Sequence, residues 1–217
     1  METLSNEQGI GEFIKEVELL LATQENVVIA LSGGRSVQKF FELLAGVLEE
    51  KKADWADKLK FVQLDERIVP VSSEQSNYHQ NQMILDTQAK GYEFVPVPTD
   101  SERPAKKYTE MVGQIDLIVA GAGKDGHIGS LFPNHELLEI DQTVFVEISD
   151  SPRPPARRIS ASPGLIRSAK VAFLFFLTEE KRRAWEDFKN PAVSWQQCPV
   201  KIANDVSKLY IISDLEG

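Results

Sequence analysis

Six short stretches of this chain are apolar almost without interruption: VVIAL (27–31), LKFVQL (59–64), IDLIVA (115–120), TVFVEI (143–148), KVAFLFF (170–176) and KLYIIS (208–213). A strand with one face in water alternates apolar and polar residues, because successive side chains point to opposite faces. Runs that do not alternate predict strands covered on both faces, as in a parallel sheet between two layers of helices. The intervening segments supply those helices. IGEFIKEVELLLA (10–22) precedes the first run. SVQKFFELLAGVLEE, opening at Ser36, sets Phe40, Phe41, Leu43, Leu44, Val47 and Leu48 at helical spacings. Segments 76–88, 103–112 and 179–188 predict three more helices. Residues 149–163, with four prolines and three arginines, must be a loop for part of their length. The expectation is an α/β fold: a single domain over residues 1–217, with a largely parallel, Rossmann-like sheet flanked by helices on both faces.

Composition narrows the partners. Apolar residues make up 42% and charged residues 26% of the chain, enough for a core and against disorder. A net charge of −9 argues against binding nucleic acid through a basic face. A chain this acidic that handles an anion must gather its cations locally. Its single cysteine, Cys198, cannot form an internal disulfide, which fits a reducing compartment. The opening METLSNEQGIGEF has no basic segment followed by an apolar stretch, and VAFLFFL (171–177) is far short of a membrane span. The reading is a soluble cytoplasmic protein, a monomer or small homo-oligomer, with neither nucleic acid nor membrane as partner.

In open α/β sheets, ligands bind beyond the carboxyl ends of the strands. Three polar clusters stand at such ends. Ser32-Gly33-Gly34-Arg35-Ser36 follows the first run. Its glycines let the backbone approach a ligand, the helix start offers unpaired N–H groups, Ser36 is a natural N-cap and Arg35 adds charge. The spacing is not that of a Walker loop, and a capped turn with no ligand is the plainer alternative. Asp65-Glu66-Arg67 follows the second run. Arg67 suits a phosphate or carboxylate, although three charged residues alone fit a solvated turn as well. Ser76-Asn77-Tyr78 reads as the cap of the next helix.

The third cluster, GAGKDGH (121–127), carries the sharpest chemistry. Of three histidines (His79, His127 and His135) none lies in an H-E-x-x-H pattern, and there is no cysteine pair, so no metal site is expected. A histidine at a strand-to-helix turn can act as a general base near neutral pH, and Asp125 two residues earlier could orient its ring. A surface histidine is an equal alternative on these letters. The first six residues match G-x-G-x-x-G, the dinucleotide fingerprint. That fingerprint needs a regular helix after the third glycine, and Pro133 interrupts within seven residues. It also needs an acid at the end of the next strand, whereas Asp141 precedes TVFVEI. Dinucleotide binding is not expected. Arg153, Arg157 and Arg158 cluster in the proline-stiffened loop, either as a phosphate clamp or as a solvent-facing basic loop.

Taken together, these segments resemble the 6-phosphogluconolactonase family, within the wider group that also holds glucosamine-6-phosphate deaminases. The matching pieces run in family order: ALSGG (30–34), LDERIVP (64–70) with SNY (76–78), GAGKDGHIGSLFP (121–133), SPRPPARRIS (151–160) and AKVAFLFFLTEEKRRAW (169–185). The resemblance implies a deaminase/isomerase-like fold. It also implies hydrolysis of 6-phospho-D-glucono-1,5-lactone to 6-phospho-D-gluconate, the second step of the oxidative pentose phosphate pathway, with no metal or organic cofactor. Within it, His127 matches the base that activates water, and Asp125 its positioning or electrostatic partner. Gly33 and Gly34 match the phosphate-side glycine turn, beside which Ser32, Arg35 and Ser36 are further candidate contacts, and Arg67 matches the arginine of DER, with Asp65 of the same motif as a candidate substrate contact. Arg153 stands where the family has the lysine of SPKPP, and Arg158 where it has the next arginine, both as phosphate or substrate contacts.

Departures are SGGRS for the family's SGGST, SLFPN for SLFPG, and Gly129 for an alanine. The deaminase branch carries a glutamate that assists ring opening, and Phe132 stands at its place here. The resemblance therefore implies the lactonase rather than a deaminase. A non-catalytic sugar-phosphate sensor is the remaining alternative, disfavoured by intact DER, SNY and DGH. Beyond residue 190 no chemistry is legible, and Trp195 and Cys198 read as packing residues.

Overall fold

The computed structural model describes residues 3–50, 55–85 and 91–215. In chain order the elements are α1 (Asn6–Leu21), β1 (Val27–Leu31), α2 (Arg35–Glu50), β2 (Leu59–Gln63), β3 (Asp65–Arg67), α3 (Asn77–Leu85), β4 (Glu93–Phe94) and α4 (Pro104–Val112). They continue as β5 (Leu117–Gly121), β6 (Phe145–Ile148), β7 (Arg158–Ala161), α5 (Pro163–Arg167), β8 (Val171–Phe176), α6 (Arg182–Lys189) and β9 (Lys208–Ser213).

Five of the apolar runs, joined by the unexpected short β4, become one six-stranded sheet in the order β4-β2-β1-β5-β8-β9. Every pairing in it is parallel. The longer strands sort their side chains onto two cores. Along β8, Val171, Phe173 and Phe175 join one core and Ala172, Leu174 and Phe176 the other. The first core is closed by Phe13 and Val17 of α1 and by Phe40, Phe41 and Leu44 of α2. The second is closed by Tyr108 of α4, Leu165 and Ile166 of α5, and Trp185 and Phe188 of α6. The uninterrupted apolar runs thus reflect burial on both faces, as expected. Numbered within this sheet alone, the strand order is 3-2-1-4-5-6, the doubly wound arrangement, with its reversal between β1 and β5.

Several expectations need correction. TVFVEI does form a strand, β6, but outside the main sheet. It pairs antiparallel with β7, which pairs antiparallel with β3, in a separate three-stranded sheet. The DER cluster is therefore itself a short strand rather than a turn. The 149–163 loop ends in β7, where Ser160 faces Asp65 in register. No helix follows β5: past Gly121 the chain turns through positive φ at Gly126 and Gly129, makes a bridge between Ile128 and Leu131, and reaches only a 3-10 turn at Glu136–Glu139. Left-handed glycines and Pro133 block helical continuation there.

α2 starts at Arg35, so Ser36 lies in its first turn and is not its N-cap. α1 starts at Asn6, ahead of the expected residue 10, because Ser5 and Gln8 form a reciprocal capping box. The 179–188 helix is split into a 3-10 turn, Glu179–Lys181, followed by α6. Of the expected 76–88 helix, residues 77–85 form α3, and 86–88 lie outside the described residues. Among the described residues, no helix is long and apolar enough to cross a membrane.

Phe173 is fully buried, stacked on Tyr210 at 4.6 Å and within 5.8 Å of Phe13 and 6.1 Å of Phe40. Phe173→Ala is expected to lower unfolding free energy by about 3–5 kcal/mol, because the surrounding rings cannot collapse into the space. Urea denaturation followed by far-UV circular dichroism measures this, with unchanged slope and a lower midpoint as the expected outcome.

Candidate active site

A cavity of about 670 Å³ opens over the carboxyl ends of β1 and β5, at the reversal in strand order. Its border includes Ser32, Gly33, Gly34, Arg35, Ser36, Asp65, Arg67, His127, Arg153 and Arg158. All of the nominated residues except Asp125 therefore meet at one opening. The charge around it is the reverse of the chain's. Arg35, Lys39, Arg67, Lys124, Arg153, Arg158 and Lys181 border the cavity against Asp65, Glu180 and Asp214, in a protein of net charge −9. This is the local gathering of cations that an anion site in an acidic chain requires.

His127 is set in the cavity wall by its own turn. Its backbone carbonyl accepts from Gly123 N–H at 2.8 Å, and the Gly126 N–H donates to Gly123 O at 3.0 Å. The imidazole lies directly over Gly123: a Cβ there would sit 1.9 Å from His127 Nδ1. That close approach, rather than a pyrophosphate, accounts for the glycine. Asp125 stands behind the ring, outside the cavity border, with Oδ1 at 2.5 Å from Nδ1 and also accepting the His127 backbone N–H at 3.4 Å. Its Oδ2 accepts from Arg153 Nη2 at 3.2 Å.

Partial burial alone would push the Asp125 carboxyl up. The hydrogen bond from His127 and the charges of His127 and Arg153 outweigh that and hold it well below the usual carboxylate range. With Nδ1 taken by an ionised carboxylate, the neutral ring carries its lone pair on Nε2. Phe132 packs on the other side, with ring centroids 4.9 Å apart.

The remaining nominated residues divide by how much of their hydrogen-bonding capacity is spent. Ser32 Oγ accepts from Gly121 N–H at 3.1 Å and donates to Gly33 O at 3.3 Å, stitching the end of β1 to that of β5. Asp65 is 5% exposed and accepts from Ser130 Oγ at 2.6 Å and Asn77 Nδ2 at 3.3 Å. Arg158 is also 5% exposed. Its guanidinium donates to Pro155 O, Arg153 O, Pro154 O and Ser130 Oγ. Expected as a substrate contact, it spends most of its donors holding the proline loop that carries Arg153. Arg35 and Arg153 keep larger exposed surfaces at the rim.

Sequence reading missed several participants. Glu66, 1% exposed, accepts from the backbone N–H groups of Arg67, Asn77 and Tyr78 and from Ser76 Oγ, at 2.7 to 2.9 Å. It ties β3 to the start of α3, where Ser76 Oγ also accepts from His79 N–H. Asn77 packs against the Ser32–Ser36 turn: a Cβ on Gly33 would fall 2.0 Å from Asn77 Oδ1. Lys181, just past the end of β8, borders the cavity and donates to Ala122 O at 2.5 Å. Burial pushes its ammonium down, and Arg153 adds to the effect. The strand-end rule applied to β8 points to Lys181. Among the described residues, no three His, Cys, Asp or Glu side chains are grouped as ligands for a metal ion.

Comparison with known proteins adds a family. The family described as glucosamine-6-phosphate isomerases/6-phosphogluconolactonase matches residues 5–211. A protein named 6-phosphogluconolactonase from Borreliella burgdorferi is 28% identical over 201 residues, covering 87% of this chain and 83% of its own length. Another of that name, from Thermotoga maritima, is 29% identical over 197 residues, covering 85% and 87%. A crystal structure of 6-phosphogluconolactonase from Thermotoga maritima superposes with a TM-score of 0.79 over 98% of both chains, at 22% identity, which shows a shared fold.

Gly123→Ala tests the close approach. The added methyl has to displace the imidazole, so turnover is expected to fall by about 100-fold or more. Gly123 has no positive φ, so the thermal midpoint should fall by no more than about 8 °C. Steady-state kinetics beside differential scanning calorimetry reads both.

Proposed function

Because the chain belongs to the glucosamine-6-phosphate isomerase and 6-phosphogluconolactonase family, we propose that it hydrolyses 6-phospho-D-glucono-1,5-lactone to 6-phospho-D-gluconate with His127 as general base. The observation that carries this reading is the His127–Asp125 pair, 2.5 Å apart, at the wall of a cation-rich cavity. The names of its relatives point to the same reaction.

The phosphate is suited to the rim where the start of α2, Arg35 and Lys181 come together, since helix N-termini and clustered cations both favour an anion. The lactone carbonyl then lies toward His127. Nε2 takes a proton from water as the water oxygen attacks C1, and the carbonyl becomes a tetrahedral oxyanion. Asp125 holds the ring in the tautomer that leaves Nε2 free and stabilises the imidazolium that forms. Arg153, bound to Asp125, brings positive charge close to that oxyanion. Collapse of the intermediate breaks the bond from C1 to the ring oxygen, which takes the proton from His127. The product is the open-chain acid, and the imidazole is again neutral. None of these steps calls for a metal or an organic cofactor.

The family's other activity, on glucosamine 6-phosphate, is disfavoured by Phe132. It occupies the place of the ring-opening glutamate, is 4% exposed and has no proton to give. The proposed substrate is a small phosphorylated lactone handled without a nucleic acid or membrane partner.

His127→Ala is expected to lower kcat for freshly made lactone by about 10²- to 10⁴-fold after correction for spontaneous hydrolysis, with KM changed less than about threefold. An unchanged kcat would remove His127 from the mechanism. Ammonia release from glucosamine 6-phosphate by the same preparation would move the chain to the other branch of its family.

A further inference from the structure

The segment from Ser194 to Val206 lines none of the cavity, yet it grips the histidine turn from behind. Val200 N–H donates to Gly126 O at 2.8 Å, and Asn134 N–H donates to Gln196 O at 2.8 Å. These two bonds bracket the stretch that carries His127. Between them, Cys198 packs on Gly126. Gly126 has φ of +80°, and a Cβ there would meet Cys198 Sγ at 2.7 Å and Cys198 Cα at 3.3 Å. Cys198 is 1% exposed, and burial pushes its thiol up to about 11, so it sits there as an uncharged, space-filling group.

The segment is anchored in turn. Lys201 Nζ donates to the carbonyls of Asn190 and Val193, both at 2.5 Å. The Arg167 guanidinium lies 4.9 Å over the Trp195 ring. Cys198 is thus packed against the residue between Asp125 and His127.

We propose that Cys198 is a positioning residue for His127: its side chain fills the space left by Gly126 and fixes the left-handed turn that seats the imidazole on Asp125. The inference rests on His127 being the base, and it concerns geometry two residues of contact away from the substrate. Enlarging the side chain displaces the turn, whereas shrinking it leaves a void behind Gly126 into which the turn relaxes, restrained only by the two backbone hydrogen bonds. Adding a methyl at Gly126 carries two costs: strain at φ of +80°, which no change at Cys198 alters, and a collision with Cys198 Sγ at 2.7 Å, which removing the sulfur relieves.

The test uses the full chain in four variants, with 6-phosphogluconolactone turnover measured well below each thermal midpoint. Cys198→Leu is expected to lower kcat by about tenfold or more with KM within about threefold, as a displaced catalytic group does. Cys198→Ala, which loosens the turn without forcing it apart, lowers kcat less, by about three- to tenfold with KM again within about threefold. Gly126→Ala loses about 30-fold or more, and Gly126→Ala combined with Cys198→Ala regains at least about fivefold of that loss.

A packing role alone lowers the thermal midpoint of Cys198→Leu and leaves its kcat and its His127 ring signals unmoved. A readout independent of turnover is the ¹⁵N spectrum of the histidine rings. The His127 resonances, assigned by their loss in His127→Ala, move in Cys198→Leu while those of His79 and His135 stay in place. If His127→Ala hydrolyses lactone normally, the functional reading fails while the spectra still decide the positioning. Wild-type kcat and unmoved His127 resonances in Cys198→Leu, or a double variant no better than Gly126→Ala, would overturn the inference.

Discussion

Strands buried on both faces leave nowhere along their length for polar chemistry. In this protein every side chain of β8 is buried, and β1 and β5 are nearly so. Functional groups are therefore confined to the segments that leave the strands, and the 3-2-1-4-5-6 order decides which of those segments meet. Between β1 and β5 the connections depart in opposite directions, so the Ser32–Ser36 turn and the 121–127 turn face each other across an open crevice. The hydrogen bond from Gly121 N–H to Ser32 Oγ joins the two lips. The cations, the histidine and its carboxylate all lie within reach of that crevice.

The charged groups of the site are held in place by one another. Burying charge is costly unless each group is paired, and the pairing here is extensive. Burial pushes the Glu66 carboxyl up, while three backbone N–H groups and the Ser76 hydroxyl pull the other way. Asp65, Ser130 and Arg158 form a connected buried set that fixes β3, β7 and the loop of Arg153 relative to one another. Groups held this way need little reorganisation as charge develops on a substrate, which is where preorganised electrostatics gains its effect. The small second sheet contributes Asp65, Arg67 and Arg158 to the cavity border, and its Ser160 Oγ accepts from Ser130 N–H, three residues past His127.

Much of this was legible in the sequence, and the failures have physical reasons. Five of the six apolar runs became strands of the main sheet, because burial on both faces writes itself directly into composition. The sixth, TVFVEI, looks the same by composition but pairs antiparallel in the small sheet, since apolar content reports burial and not partners. DER and RISA were invisible as strands: each is three or four residues long and polar in part, and their pairing is set by tertiary contacts. The DGH turn was identified, but its continuation as a helix was wrong, because two left-handed glycines matter more than the strand-turn-helix habit. Asn77 and Asn81, four apart and both buried on one face of α3, bind Asp65 and the Ser32 carbonyl. A polar pair at helical spacing beside a capping serine was the available signal for them. Arg158 was found by position, while its commitment to the loop could only come from geometry.

The proposed reaction depends on a division of labour in which cations at the rim would hold the phosphate and so bring the lactone carbon beside His127. The most direct test compares 6-phospho-D-glucono-1,5-lactone with D-glucono-1,5-lactone, which differs in lacking the phosphate. Hydrolysis of each is followed by proton release at matched concentrations and corrected for the uncatalysed rate. The account predicts a kcat/KM lower by about 100-fold or more without the phosphate, because charge-assisted anchoring is lost along with the orientation it gives. Equal kcat/KM values for the two lactones would contradict it.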